Sequence, residues 1–252
     1  MMKHLLLALF LCLTTTAPAA NIVIMVVDDP NNYEAPRTMS DFADRQLRPL
    51  GHQVTVIKGD QPQPHHFGGL VEGLKGADLL VLFSRRRFPP KDQMAAIRVH
   101  LEAGKPLLGM RTANHAFIPK TTEAVDPSLM PWPEFTDEVL GAPNTGYETK
   151  GLPYTVTAAM GAKGPLLDGV NVANILGHQS LYKVLPLAPD VTPLLIGTAR
   201  TDTSPPMPVA WTRLHGTRKA RIFYTSLGAP EDMESPDLRR LLVNAVKWTL
   251  EK

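Results

Sequence analysis

The sequence predicts an α/β fold: a doubly wound parallel sheet that continues into an antiparallel portion. Three observations carry this. Four short apolar runs, starting near Asn21, His52, Asp78 and Pro106, alternate with segments of helical periodicity, the pattern of β-α-β units. After Tyr154 the apolar runs follow one another without helices, which calls for antiparallel neighbours. A helix with a complete start signal begins at Ser235.

Asn21 to Asp28 is apolar and ends in acid, as in a strand buried on both faces. Asp28-Asp29-Pro30-Asn31-Asn32 is a loop. Thr38 to Leu50 places Met39, Phe42, Leu47 and Leu50 at helical spacing, and Gly51 stops it. His52 to Lys58 alternates as a second strand. His65 to Gly69 opens a short helix through Leu70, Val71 and Leu74; adjacent histidines on a helix do not share a face, so a metal pair there is disfavoured. Asp78 to Phe83 is a third strand, ending in Ser84-Arg85-Arg86-Arg87. Three arginines at a strand end can grip an anion bidentately, although a solvated cationic turn is the simpler account.

Pro90 to Ala103 is an amphipathic helix with Met94, Ile97 and Leu101 buried and Gly104 as its stop. Pro106 to Met110 is the fourth strand. Residues 118 to 153, rich in Pro, Gly and acids, form an insertion suited to a pocket wall or lid. Short strands are expected at Tyr154 to Thr157, Ser180 to Val184, Pro193 to Thr198, Pro208 to Arg213 and Arg221 to Ser226, with a turn at 165–170. In the last helix Ser235 is the N-cap, Pro236 follows at N1 and Asp237 complements the dipole; Leu238, Leu242, Ala245 and Val246 face inward and Trp248 packs.

The 252 residues are 44% apolar and 20% charged, as in globular domains, and 24 prolines call for many turns. A net charge of +2 leaves no electrostatic footprint for nucleic acid or an anionic membrane. Residues 1 to 20 have the layout of a secretory signal peptide: Lys3 and His4, an apolar run from Leu5 to Leu13, then small residues to Ala19 and Ala20, either of which suits cleavage. The domain is then 21–252, secreted or periplasmic, with no membrane contact after cleavage. The single cysteine, Cys12, lies in the leader, so the mature chain has no thiol for a disulfide, metal or nucleophile.

The polar residues Arg111, Thr112, Asn114 and His115 cluster directly after the fourth strand. In open α/β sheets ligands sit outside the carboxyl ends of the strands, which makes this cluster the site candidate; an ordinary polar turn is the competing account. Gly109, inside the strand, lets the backbone approach a neighbour closely.

These residues carry a resemblance. Leu80 to Phe83 with Arg85 to Arg87, Gly104-Lys-Pro-Leu-Leu-Gly-Met-Arg-Thr-Ala-Asn-His-Ala-Phe117, Trp132-Pro-Glu-Phe135, Val139-Leu-Gly141, Ser180-Leu-Tyr182, Pro208-Val-Ala-Trp-Thr-Arg213 and Phe223-Tyr-Thr-Ser-Leu-Gly228 together look like the ThuA-like (trehalose utilisation) family. The resemblance spans about Asn21 to Trp248. It implies a class I glutamine amidotransferase-like fold, a flavodoxin-like three-layer sandwich with a mostly parallel sheet. It also implies carbohydrate work, including oxidised 3-keto glycosides.

Amidotransferases of this fold carry a cysteine at the strand-to-helix elbow. Aligned on Gly109, that position is Arg111, which stays protonated and cannot be a nucleophile. Family histidines are replaced by Glu34 after Tyr33, by Thr145-Gly-Tyr-Glu148, by Gly164 before Pro165 and by Ala229; His115 is kept and His178 is additional. A histidine-built metal centre loses most of its ligands. A divalent ion would have to rely on Glu34, Glu148, His115 and His178, and no nucleotide-cofactor motif is present.

The resemblance therefore implies a sugar or glycoside as the small-molecule partner. In an enzyme, a hydrolase or isomerase, His115 would be the acid/base with a pKa near neutrality and Arg111 would polarise an oxygen. Thr112, Asn114, Tyr147 and His178 would contact hydroxyls, Trp132 or Trp211 would stack on a pyranose, and Glu134 would be a partner carboxylate. The alternative is a non-catalytic module that binds a carbohydrate or a partner on the same fold.

Overall fold

Each apolar run before residue 111 becomes a strand because both of its faces are covered. The computed structural model describes residues 19–59, 61, 65–120, 124–149, 151–200 and 204–251. The leader expected over 1–20, with Cys12, falls outside these except for Ala19 and Ala20.

Strands β1 (Asn21–Val26), β2 (Gln53–Lys58), β3 (Leu79–Phe83), β4 (Leu107–Met110), β6 (Tyr154–Ala158), β7 (Leu176–Gly177), β9 (Thr192–Ala199), β10 (Met207–His215) and β11 (Ala220–Thr225) form one nine-stranded sheet. Its order is β2-β1-β3-β4-β11-β10-β9-β6-β7. The first five strands run parallel; from β11 to β7 every neighbouring pair is antiparallel. The first five repeat the flavodoxin-like order, with β11 as the fifth strand, and the winding reverses between β1 and β3. A separate pair, β5 (Gly146–Tyr147) and β8 (Tyr182–Lys183), stands apart from the main sheet.

Side chains alternate along a strand, so each parallel strand feeds two cores. Ile22, Ile24 and Val26 face α1 (Ala35–Phe42) and α5 (Pro236–Leu250); Val23 and Met25 face α2 (Leu70–Gly76) and α3 (Lys91–Glu102). Each such buried aliphatic side chain contributes roughly 1.5–3 kcal/mol. This makes the three layers. No helix among the described residues is long and apolar enough to cross a membrane.

Boundaries differ from the sequence reading where local chemistry intervenes. α1 starts at Ala35 rather than Thr38, since Pro36 is tolerated in a first turn. It continues as a π turn at Ala43–Leu47 and a 3-10 turn at Arg48–Leu50 before Gly51. His65 and His66 precede α2 instead of opening it; His65 Nδ1 accepts the Phe88 N–H at 2.8 Å. Pro208 sits inside β10, in a ladder interior that proline normally avoids. The register slips there on both sides of Ala210, so a bulge absorbs it. A helix unforeseen in the sequence, α4 (Pro230–Glu234), precedes α5, whose Ser235 cap accepts the Leu238 N–H at 3.3 Å.

Gly109 is where β4 meets β11. A Cβ there would lie 3.1 Å from the Tyr224 ring and 3.5 Å from Leu140. Glycine lets the elbow of β4 pack flat against its neighbours.

Candidate functional site

The carboxyl ends of β1, β3, β4 and β11 meet at one side of the sheet, and Asn32 ties three of them. Its Nδ2 donates to Val27 O at 2.9 Å and Phe83 O at 3.0 Å, bridging β1 and β3 where the winding reverses. Its Oδ1 accepts the Thr112 hydroxyl at 2.5 Å, which brings in the turn after β4. The loop after β3 is fastened to the same turn: Arg86 N donates to His115 O at 3.2 Å and Arg87 N to Ala116 O at 2.7 Å.

Above these ends lies a cleft of about 380 Å³, lined by Asn31, Tyr33, Arg85, Arg86, Thr112 and His115 on the sheet side. Ile118, Asn144, Thr145, Gly146, Tyr147, Ser180 and Tyr182 complete it, so β5 and β8 make its far wall. The volume falls in the range of small-molecule pockets. Among the described residues the lining includes two arginines and no carboxylate.

The backbone around the cleft is strained. Five non-glycine residues among those described have left-handed φ, and four of them are Tyr33 (54°), Glu34 (48°), Arg86 (46°) and Arg111 (39°). Such conformations cost on the order of 1–3 kcal/mol each and concentrate at functional sites. Arg111, the first residue after β4, holds one of these strained conformations at the strand-to-turn elbow.

Arg111 does not reach the cleft as expected. Its side chain is fully buried, with Nη1 donating to Ser226 O at 2.6 Å. Its guanidinium lies 4.1 Å from the Tyr33 ring centre and 5.0 Å from that of Tyr182, both cleft residues. No carboxylate pairs with it among the described residues; Nε and Nη2 make no close hydrogen bond there, and the hydroxyls of Tyr33 and Tyr154 are the polar groups beside it. Burial works against the charge, and Tyr182, Tyr154 and Tyr33 outweigh it, so the pKa is held above its ordinary value. Burial in turn pushes Tyr182 up and Tyr154 up to about 12, which keeps both phenols protonated.

His115 is buried to 9% exposure. Its Nδ1 lies 2.6 Å from Asn114 Oδ1 and 3.0 Å from Asn144 Nδ2. With Nδ1–H donating to Asn114, the Asn144 amide cannot also donate to Nδ1 and is turned toward Asn114 Oδ1 at 3.4 Å, and the lone pair of the ring falls on Nε2, which has no hydrogen bond among the described residues. Burial, with Arg86, Arg85 and Arg111, lowers its pKa to about 3. The near-neutral imidazole expected from sequence is therefore corrected: His115 is neutral at any physiological pH.

Of the other expected contacts, Thr112 and Tyr147 line the cleft and Asn114 stands behind His115. Four lie elsewhere. Trp211 is fully buried, donates to Leu140 O at 2.8 Å and packs on Tyr224, so no sugar can stack on it. Trp132 is covered by Arg98, 3.5 Å over its ring, and donates to Glu138 at 2.8 Å. Glu134, exposed beside it, is outside the cleft lining. His178 binds the buried Asp232 at 2.9 Å through Nδ1 and does not line the cleft.

The four groups considered for a divalent ion are separately engaged. Glu34 pairs with Arg37, Glu148 with Lys183, His178 with Asp232 and His115 with its asparagines. Among the described residues no three His, Cys, Asp or Glu side chains converge as a metal site. Sequence reasoning passed over Asn32 and Asn144, and it preferred a solvated turn for Arg85 and Arg86, which line the cleft. Asparagine repeated directly after a strand (Asn31-Asn32) was the available signal for the first.

The fold and site define a flavodoxin-like α/β protein with a cleft at the carboxyl ends of its parallel strands. The chain belongs to the ThuA family, described as trehalose utilisation, whose model matches residues 32–249. That family places it in a role related to carbohydrate utilisation. Two solved structures are similar in fold. A putative ThuA-like protein from Bacteroides uniformis ATCC 8492 is 16% identical with a TM-score of 0.67, over 92% of this chain and 93% of that one. A putative ThuA-like protein from Parabacteroides merdae ATCC 43184 is 16% identical with a TM-score of 0.61, over 92% and 90%. No curated protein sequence matches the chain significantly.

Proposed function

We propose that this chain acts on an oxidised sugar in the cleft, abstracting a proton next to a keto carbonyl, and has no glutamine amidotransferase activity. The observation that carries this is His115: a neutral imidazole held at Nδ1 by Asn114, lining a cationic cleft with its Nε2 without a hydrogen bond among the described residues. The proton on the carbon beside the carbonyl passes to Nε2, and the C–H electron pair moves onto the carbonyl oxygen as an enolate. An imidazole with a pKa of about 3 is a weak base in the resting cleft. The field of Arg85, Arg86 and Arg111 that weakens it also stabilises the enolate. As negative charge develops there, the field on the imidazole is offset and the base strengthens in the transition state. Thr112, Asn144, Tyr147 and Ser180 supply neutral partners for hydroxyls, and the rings of Tyr33 and Tyr182 supply apolar surface.

We place the protein outside the cytoplasm on its leader-like first twenty residues. The N–H of Ala20 donates to His52 Nδ1 at 3.2 Å and its carbonyl accepts from Gln53, contacts that suit a cleavage before Ala20.

The depressed basicity of His115 also favours a second reading, a module that binds such a sugar without turnover. One experiment separates them. The purified protein is incubated with disaccharides and their 3-keto forms, with and without divalent metal, and followed by NMR beside His115→Gln. Conversion that disappears in the variant supports the enzyme; binding without conversion in every condition sinks it and leaves the module.

A further inference from the structure

We infer that the hydroxyl of Tyr33 is the group that holds the carbonyl oxygen of the bound keto sugar, donating a hydrogen bond to it as it becomes an enolate, with Arg111 as the buried cation that positions and polarises this phenol. The role deepens the keto-sugar reading and rests on it for the reaction.

The first feature is placement. Tyr33 lines the same cleft as His115. It directly follows Asn32, whose amide is tied to the ends of β1 and β3. Its own φ is 54°. For a bulky aromatic residue that conformation is an outlier, and it persists only where the surroundings dictate it. The phenol is therefore aimed before any ligand arrives, and little ordering is lost on binding.

The second feature is what stands behind the phenol. The Arg111 guanidinium lies 4.1 Å from the ring centre and also beside the hydroxyl. A guanidinium carries donors only, so it faces the lone pairs of the phenol oxygen. The Tyr182 hydroxyl is hydrogen-bonded to the same oxygen. Burial pushes Tyr182 above its ordinary value, and Tyr33 adds to this against the pull of Arg111. That is the sign expected when Tyr182 keeps its proton and donates it. With donors on its acceptor side, the Tyr33 oxygen has its own proton left to give, and the cleft is where it is given. Accepting from a cation and from a second hydroxyl makes it a stronger donor.

The third feature is the division of labour between two walls. His115 comes from the turn after β4 and Tyr33 from the loop after β1, with Tyr182 touching both. The His115 and Tyr182 ring centres are 5.9 Å apart, edge to face. A base and an oxyanion donor must reach one substrate together, at the carbon beside the carbonyl and at the carbonyl oxygen. The proton passes from that carbon to His115 Nε2, the C–H electron pair becomes the C=C bond, and the carbonyl π pair moves onto oxygen. Tyr33 keeps its proton throughout, and its hydrogen bond strengthens as the oxygen becomes negative.

The test uses the full chain and the 3-keto disaccharides in deuterated water. NMR follows exchange of the C–H protons beside the carbonyl, and calorimetry compares binding of each keto form with its parent disaccharide. Tyr33→Phe and Tyr182→Phe are run beside wild type, with near-ultraviolet circular dichroism to confirm folding. Phenylalanine keeps the ring over Arg111 and removes only the hydroxyl, so a purely structural Tyr33 would leave exchange untouched. Tyr33→Phe should slow exchange at saturating substrate by about 100-fold, leave parent-sugar binding unchanged and abolish the preference for the keto form. Tyr182→Phe should lose less, because Arg111 still faces the Tyr33 oxygen. Exchange unchanged in Tyr33→Phe overturns the inference and leaves the keto-sugar reading intact. A larger loss in Tyr182→Phe overturns the assignment to Tyr33. No exchange in wild type sinks proton abstraction, and binding then decides the donor. A keto preference that vanishes in Tyr33→Phe supports it; no preference in wild type, or one that persists in the variant, overturns it.

Discussion

The guanidinium of Arg111 lies 4.1 Å from the ring of Tyr33, and both residues hold left-handed backbone. One is the end of β4 and the other the end of the loop after β1, so this stack closes the floor of the cleft. A desolvated cation–π contact is worth about 2 kcal/mol. Tyr33→Phe should leave stability within about 0.5 kcal/mol of wild type, whereas Tyr33→Leu should cost about 2 kcal/mol. A double-mutant cycle with Arg111→Met, read by urea unfolding, should return a coupling of about 1–2 kcal/mol; additive effects would show the stack to be idle.

Asn32 should be the most sensitive neutral residue of the site. Asn32→Ala leaves the Val27 and Phe83 carbonyls and the Thr112 hydroxyl without their partner, at a cost of about 3 kcal/mol. Asn32→Asp keeps the shape but points carboxylate oxygen at two carbonyls, and should be at least as damaging at pH 7. If the aspartate variant matches wild type in denaturant midpoint, the amide is not the tie between the strands.

Acid should destabilise the fold through two buried imidazoles. Burial lowers His100 to about 4 and His115 to about 3, against 6.5 in the unfolded chain. Below pH 6.5 the unfolded state takes up protons that the folded state refuses. Stability is therefore full above that point and falls as the pH drops through the window down to about 4 and about 3. By pH 5 each histidine removes about 2 kcal/mol. Urea unfolding at pH 7 and pH 5 should show the difference, and His115→Gln should shrink it by roughly half.

Gly177 lies against Tyr154 so closely that a Cβ would fall 2.0 Å from the ring. Gly177→Ala should cost about 1–3 kcal/mol by displacing that ring. Combining it with Tyr154→Leu should recover part of the loss, measured as a change in thermal midpoint. A penalty that persists unchanged in the double variant would place the strain in the backbone instead.

Much of the architecture was legible locally. The runs at Ile22–Val26 and Leu79–Phe83 are apolar on both faces, and only a doubly covered parallel strand satisfies that pattern. Ser235 and Pro236 marked the last helix because capping is a short-range bond between residues three apart. The elbow after Gly109 was also legible, since a glycine in a strand followed by a polar cluster announces close packing and a strand end.

What the sequence by itself determined about this protein is its alternation of elements, its family and the location of its cleft at the ends of β1, β3 and β4. What only the tertiary structure decided is which side chains face that cleft. Arg111 and Arg86 are both arginines after strands, yet one is sealed beneath two tyrosines and the other forms the wall. Trp211 has the composition of a sugar platform and is core. His115 has a titratable ring but is neutral, because burial and three arginines from two different loops act on it together. Periodicity and capping depend on neighbours a few residues apart and so are written along the chain. Burial and electrostatic field depend on groups brought together from 29 to more than 100 residues away, and exist only once the sheet has closed.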